Sequence, residues 1–391
     1  MRRTVSLILA VGLAPALALT TAGAASAGGP EWTFVPVQAA KAEPGVSAIK
    51  DTYIVELKKG LKLKSGLGIT PQKQFSTAVN GFSAKLTAAQ LSALQKSPDV
   101  VAISQDVRIE NAVDATQTNP PSWGIDRIDQ RNLPLSNSFT YTRTGQGVHA
   151  YIIDTGITPS HPDFGGRATF DFNGIDTNNT DCMGHGTHVA GTVGSTTYGV
   201  AKGVRLHGVK WLDCNGSGTA SSAIAAVDWV TRNAVKPAVA NASWNFSANT
   251  TLENSLRAMI NSGVFLAASA GNTGANSCDR LPRKIETALV VAASEKNDAR
   301  ASYSSTGACV DVYAPGSAII STLRTGGSGS MSGTSMATPH VAGVAALYLQ
   351  SSPSATPATV KSYIETNATP NKVTNGGTGG TVNRLLFSNG L

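Results

Sequence analysis

Residues 149–157 read His149-Ala150-Tyr151-Ile152-Ile153-Asp154-Thr155-Gly156-Ile157, an apolar run interrupted by a carboxylate and a glycine. A strand with one wet face alternates apolar and polar residues, whereas one covered on both faces stays apolar throughout. Val264-Phe265-Leu266-Ala267-Ala268 and Ala288-Leu289-Val290-Val291-Ala292 are runs of the same kind. Ser221 to Asn233 carries Ile224, Val227, Trp229 and Val230 at helical spacing, and so does Leu252 to Ile260. Strands and helices in alternation predict an α/β domain, a mostly parallel sheet flanked by helices. In such sheets ligands gather outside the carboxyl ends of the strands, which is where Asp154 falls. Taken alone, Asp154 is better explained as a turn or cap residue.

Outward from this run, the chain has 391 residues, is 41% hydrophobic and 14% charged, and holds 40 Gly and 18 Pro. That is enough apolar material for a large core, and it excludes a disordered or collagen-like chain. The formal charge is +7, but no compact Lys/Arg cluster stands out, so no nucleic-acid partner is expected. Arg2 and Arg3 precede an apolar stretch from Val5 to Leu19 and then Ala25-Ser26-Ala27, the form of a cleavable signal peptide over residues 1–27. The chain is therefore expected to be secreted, with no membrane association after cleavage. All four cysteines, Cys182, Cys214, Cys278 and Cys309, fit disulfides in an exported protein, and three pairings are open.

Residues 28–50 read as a linker. Residues 51–110 carry β-prone Tyr53-Ile54-Val55, an alternating Gly81–Leu86 segment, a capped helical stretch over Thr87–Leu94 and Val100–Ile103. This predicts a small α+β domain. Residues 111–122, with Asn119-Pro120-Pro121, read as a processing linker, and residues 123–391 as the main domain.

Two further segments carry reactive side chains. Gly184-His185-Gly186-Thr187-His188-Val189-Ala190-Gly191-Thr192 sets a histidine between glycines at the start of a helix; without the Glu of an H-E-x-x-H pattern, zinc is not indicated. Ser332-Gly333-Thr334-Ser335-Met336-Ala337-Thr338-Pro339-His340 leads into an apolar helix from Val341 to Leu349. Ser335 then lies near a helix N-terminus, where developing negative charge is favoured. Ala337 excludes the G-x-S-x-G elbow of esterases and lipases.

In the order Asp, His, Ser, these segments resemble the subtilisin-like serine peptidases, in their proteinase K and aqualysin-like branch. The resemblance runs from about Trp123 to Pro370 and includes Leu212-Asp213-Cys214-Asn215-Gly216-Ser217-Gly218, Ala270-Gly271-Asn272 and Tyr313-Ala314-Pro315-Gly316. It implies a three-layer subtilisin-like fold and a secreted serine endopeptidase. Ser335 would be the nucleophile, His185 the general base and Asp154 its orienting partner, with Asn272 as side-chain oxyanion donor. A silent, protease-like binding protein is the competing reading; it would be expected to lack one of these four, and all are present.

The resemblance further implies disulfides Cys182–Cys214 and Cys278–Cys309. It implies a structural calcium on the Asp311 carboxylate and the Glu286 and Ala288 carbonyls, and no cofactor for the chemistry. Residues 51–110 resemble an inhibitor-type propeptide that assists folding and blocks the cleft, with maturation between Asn111 and Thr116 and Ala115 favoured as the new N-terminus. Polypeptide substrate would pair with Gly216-Ser217-Gly218 on one side and Ser243-Trp244-Asn245 on the other, in a monomer. Where relatives carry glycines this chain has Asn245 and Phe246, which predicts a narrower primary pocket. Trp211 replaces a small aliphatic residue and reads as core packing.

Overall fold

The computed structural model describes residues 34–39, 46–63, 65–109 and 115–391. The expected leader at 1–27, and residues 111–114 of the cleavage region expected between Asn111 and Thr116, lie outside them. Among the described residues no helix is long and apolar enough to cross a membrane. The described residues form two compact units, one within 34–39 and 51–105, the other within 46–50 and 106–391.

A five-stranded sheet runs in the order Val37–Gln38, Val100–Ile109, Val46–Leu57, Gly81–Lys85, Lys73–Phe75, and its residues 37–38, 51–57, 73–75, 81–85 and 100–105 belong to the first unit. Val55, Phe82, Ala84, Leu94 and Ile103 form its core. Thr87 and Gln90 cap the helix Ala88–Gln95 reciprocally, as the sequence pattern predicts. Residues 34–39 and 46–50 do not form a plain linker. Val35 and Val37 pack against this core, and Val35 N–H donates to the Gln95 carbonyl at 2.8 Å. Two apolar residues in a short polar stretch are too few to register as a strand pattern.

The second unit is built on a nine-stranded sheet. In chain order its strands are β1 (His149–Asp154), β2 (Ala168–Asn173), β3 (Arg205–Lys210), β4 (Ala238–Ala242), β5 (Val264–Ser269), β6 (Leu289–Ser294), β7 (Val312–Pro315), β8 (Thr369–Pro370) and β9 (Arg384–Leu385). Their spatial order is β2-β3-β1-β4-β5-β6-β7-β9-β8, parallel throughout except for β8 against β9. The order of connection reverses between β1 and β4, which creates a crevice at their carboxyl ends.

The continuous apolar runs follow from two cores, one on each sheet face. Ala150 and Ile152 of β1 join one core with Val189, Val193, Val341 and Ala345. Tyr151 and Ile153 join the other with Val227, Val230, Leu256 and Trp211. The helices supplying these residues are α1 (His185–Gly194), α2 (Ala220–Asn233), α3 (Thr250–Asn261) and α4 (Thr334–Ser351), followed by α5 (Pro357–Asn367). Residues 115–122, read as linker, include a strand, Ala115–Thr118, that pairs with Ser138–Tyr141 of the same unit. Both disulfides, Cys182–Cys214 and Cys278–Cys309, are formed.

Candidate active site

The strand ends bring the sequence-predicted residues to one edge of the sheet. Asp154 ends β1, Ser243-Trp244-Asn245 follow β4, Asn272 follows β5, and Gly216-Ser217-Gly218 follow β3. Two helices begin at the same edge: α1 with His185 as its first residue and α4 with Ser335 as its second.

Asp154 is fully buried, and its Oδ1 accepts from the Thr155 N–H at 2.8 Å and from His185 Nδ1 at 2.7 Å. With Nδ1 donating, His185 Nε2 carries the free lone pair. Burial pulls the His185 pKa down, but the charge and hydrogen bond of Asp154, with the charge of Asp181, outweigh it, and the net direction is up. Gly186 has no room for a side chain, because a Cβ there would run into the Gly156 carbonyl oxygen. Glycine thus lets the His185 helix seat directly on the end of β1.

Asp181, which the sequence patterns did not single out, holds that helix in place. It is buried. Its Oδ1 accepts from Gly184 N–H at 2.6 Å and Thr155 Oγ1–H at 2.8 Å, and its Oδ2 from Thr187 N–H at 2.8 Å and Thr187 Oγ1–H at 2.6 Å. These satisfy first-turn donors that a helix cannot satisfy itself, and a carboxylate also suits the positive end of the helix. Thr155 Oγ1 accepts from Gly186 N–H at 2.9 Å, which links the cap to the strand bearing Asp154. Any local signal was weak, since Asp181 lies among polar loop residues.

Ser335 is half-buried, and its hydroxyl donates to the Ser243 carbonyl at 3.1 Å. Pro339 has no N–H to offer the Ser335 carbonyl four residues back. Ser243 Oγ–H supplies that bond instead at 2.9 Å, and Asn241 Nδ2 donates to Ser243 Oγ at 2.8 Å. The proline lies deeper in the helix than a first turn, because α4 begins at Thr334 and not at Val341. At Asn272, Oδ1 accepts from both the N–H and the hydroxyl of Thr334, each at 2.9 Å, while Thr334 Oγ1 accepts from Gly271 N–H at 3.0 Å. Fixing the amide oxygen commits the Asn272 NH2 to the opposite side, beside Gly333.

The two segments expected to bind substrate differ in character. Gly216 and Ser217 lie within a turn closed by Asp213, whose Oδ1 accepts from the N–H groups of Asn215 and Ser217, both at 2.9 Å, and Gly218 follows it. On the facing side, Trp244 is buried, donates Nε1–H to the Ile153 carbonyl at 2.9 Å and packs edge-on against Trp211 at 4.8 Å. Phe246 packs toward Trp211, and its backbone exchanges two hydrogen bonds with Leu281 at 2.9 Å. Much of the aromatic bulk in this segment is therefore taken up by the core, and Asn245 remains exposed. His188 and His340 are fully buried against backbone carbonyls, away from any such chemistry.

The expected calcium ligands do not fit an ion. Glu286 O, Ala288 O and Asp311 Oδ2 do converge, but on the ammonium of Lys361, at 2.8, 2.7 and 3.0 Å. A cation of this chain already holds the position a divalent ion would need.

Residues 145–387 match the model described as Subtilase family, and residues 63–112 match Peptidase inhibitor I9. The chain is 48% identical to the "Alkaline serine exoprotease A" of Vibrio alginolyticus over 83% of its own length and 61% of that protein's, and so spans less than two thirds of it. It is 48% identical to the "Extracellular serine proteinase" of a Thermus species over 79% and 76% of the two chains. It is 41% identical to the "Cuticle-degrading protease" of Metarhizium anisopliae over 88% and 90%. Among solved structures, a cold adapted subtilisin-like serine proteinase aligns with a TM-score of 0.66 and 47% identity, over 68% of this chain and 97% of that one.

Proposed function

The chain belongs to the subtilase family, and on that footing we propose that it is a secreted serine endopeptidase made as a precursor, with Asp154, His185 and Ser335 as its triad. The single observation that carries this reading is the Asp154–His185 pair at 2.7 Å, at the same sheet edge as a serine that opens a helix. The Ser335 hydroxyl turns from the Ser243 carbonyl to His185 Nε2, which takes its proton as Oγ attacks the scissile carbonyl carbon. Asp154 keeps the Nδ1–H tautomer and stabilises the imidazolium. The oxyanion is bound by Asn272 Nδ2–H and by the Ser335 N–H, a first-turn donor with no partner inside its own helix. The tetrahedral species collapses as His185 returns the proton to the leaving amine, and water then releases the acyl group by the same steps in reverse.

Substrate lies extended between Gly216-Ser217-Gly218 and Ser243-Trp244-Asn245, and the exposed Asn245 side chain narrows the pocket relative to one flanked by glycine. Residues 51–110 act as folding aid and inhibitor, removed by cleavage ahead of Ala115. The mature enzyme works as a monomer. The supporting test compares the secreted wild type with Ser335→Ala. The wild type is expected to lose the N-terminal unit and digest an unfolded protein, while the variant stays full length and inert. Equal processing and hydrolysis in Ser335→Ala would overturn the assignment, and inactivity of both would favour a silent binding protein.

A further inference from the structure

We propose that Lys361 has replaced a divalent cation, so that the Glu286–Ala288–Asp311 site is held together by the protein's own ammonium and takes no calcium. The donor set is that of a hard-cation site: two main-chain carbonyls and a carboxylate oxygen aimed at one point. The occupant is Lys361 Nζ, whose three N–H donors meet the three oxygens at 2.7 to 3.0 Å. Both Lys361 and Asp311 side chains are only 17% exposed, so the ammonium is enclosed and not a passing surface contact.

An ion bonded to these oxygens would sit on the ammonium itself. Moving the lysine aside would leave a divalent charge next to a positive one. Asp311 and, at 3.9 Å, Glu365 are the carboxylates paired with the ammonium. Lys361 sets one positive charge against these two carboxylates, whereas a divalent ion beside the displaced ammonium would set three.

The bonds also explain what the site does in the fold. Lys361 lies on α5, Glu286 and Ala288 lead into β6, and Asp311 precedes β7. Asp311 Oδ2 additionally accepts from Val290 N–H at 2.8 Å, and Asp311 N–H donates to the Val290 carbonyl at 3.0 Å. One lysine therefore ties a helix to the starts of two adjacent strands. In a metal site that tie is lost to a chelator; here it is covalently part of the chain.

The test uses the full chain with Ser335→Ala to suppress any self-digestion. Crystals soaked in Mn2+ are expected to give no anomalous peak within bonding distance of Asp311. In calorimetric titration with Ca2+, Lys361→Ala is expected to bind one more ion per chain than its parent. That extra ion should disappear in Lys361→Ala/Asp311→Asn. The melting midpoint of Lys361→Ala should fall in a chelator and recover by roughly 5–10 °C at about a hundredfold excess of Ca2+ over its dissociation constant. A manganese peak on Asp311 in the parent, or equal Ca2+ stoichiometry in parent and Lys361→Ala, would overturn the proposal. If Lys361→Ala does not fold, the soak of the parent alone decides.

Discussion

Asp181→Asn probes the support of the candidate general base without touching the base itself. The native carboxylate accepts four hydrogen bonds, two from backbone N–H groups and two from threonine hydroxyls, within a buried pocket. An amide of the same size offers one accepting oxygen and turns an NH2 toward groups that are themselves donors. An ordinary helix cap is worth about 1 kcal/mol. Losing hydrogen bonds to a buried charge and leaving their donors unpaired costs more, about 1.5–3 kcal/mol for each bond. For a unit of this size, 3 kcal/mol lowers the melting midpoint by roughly 6–12 °C. The measurement is thermal unfolding of Asp181→Asn in a Ser335→Ala background. A second readout separates positioning from bulk stability. Because the Asp181 charge helps raise the His185 pKa, its loss shifts the acid limb of the kcat/KM profile to lower pH in otherwise active enzyme. A midpoint within about 1 °C of the parent, together with an unmoved acid limb, would refute the claim that Asp181 seats the His185 helix.

Asn272→Leu removes the amide donor while leaving the Asp154–His185 pair in place. In steady-state hydrolysis of a peptide amide, kcat is expected to fall by ~10²–10³ with KM little changed. Acid stability follows from the two buried histidines. Burial, as the leading cause, pulls both His188 and His340 down to about 4, below their ordinary 6.5. Groups with depressed folded values stabilise the fold above pH 6.5, and that contribution is lost as pH falls toward 4. Each histidine then withdraws about 2 kcal/mol by pH 4.5. Urea unfolding of the Ser335→Ala chain at neutral pH and at about pH 4.5 checks this, and equal free energies would contradict it.

The parallel sheet was legible because its strands are covered on both faces, so Ile152 and Ile153 are apolar for the sake of opposite cores. Asp154, His185, Asn272 and Ser335 were legible because each sits in a short motif at the end of an element. Asp181 was not, since its four donors come from Thr155, Gly184 and Thr187, and only folding assembles them. Pro339 was visible, but not its consequence, because Ser243, which answers the carbonyl it leaves free on Ser335, lies 92 residues before Ser335. Lys361 is the sharpest case. The oxygens of Glu286, Ala288 and Asp311 imply a cation, and nothing local reveals that the cation is a side chain 50 to 75 residues further on.

The central claim is that Ser335 is a nucleophile activated by His185. Its most direct test is to treat the mature wild type with a sulfonyl fluoride, which transfers its sulfonyl group to an activated serine oxygen and releases fluoride. Peptide mapping by mass spectrometry then locates the adduct. One adduct per chain is expected, on Ser335, blocking hydrolysis, with its near-complete loss in His185→Ala. A chain that hydrolyses protein while Ser335 stays unlabelled, or that labels equally in His185→Ala, would contradict it.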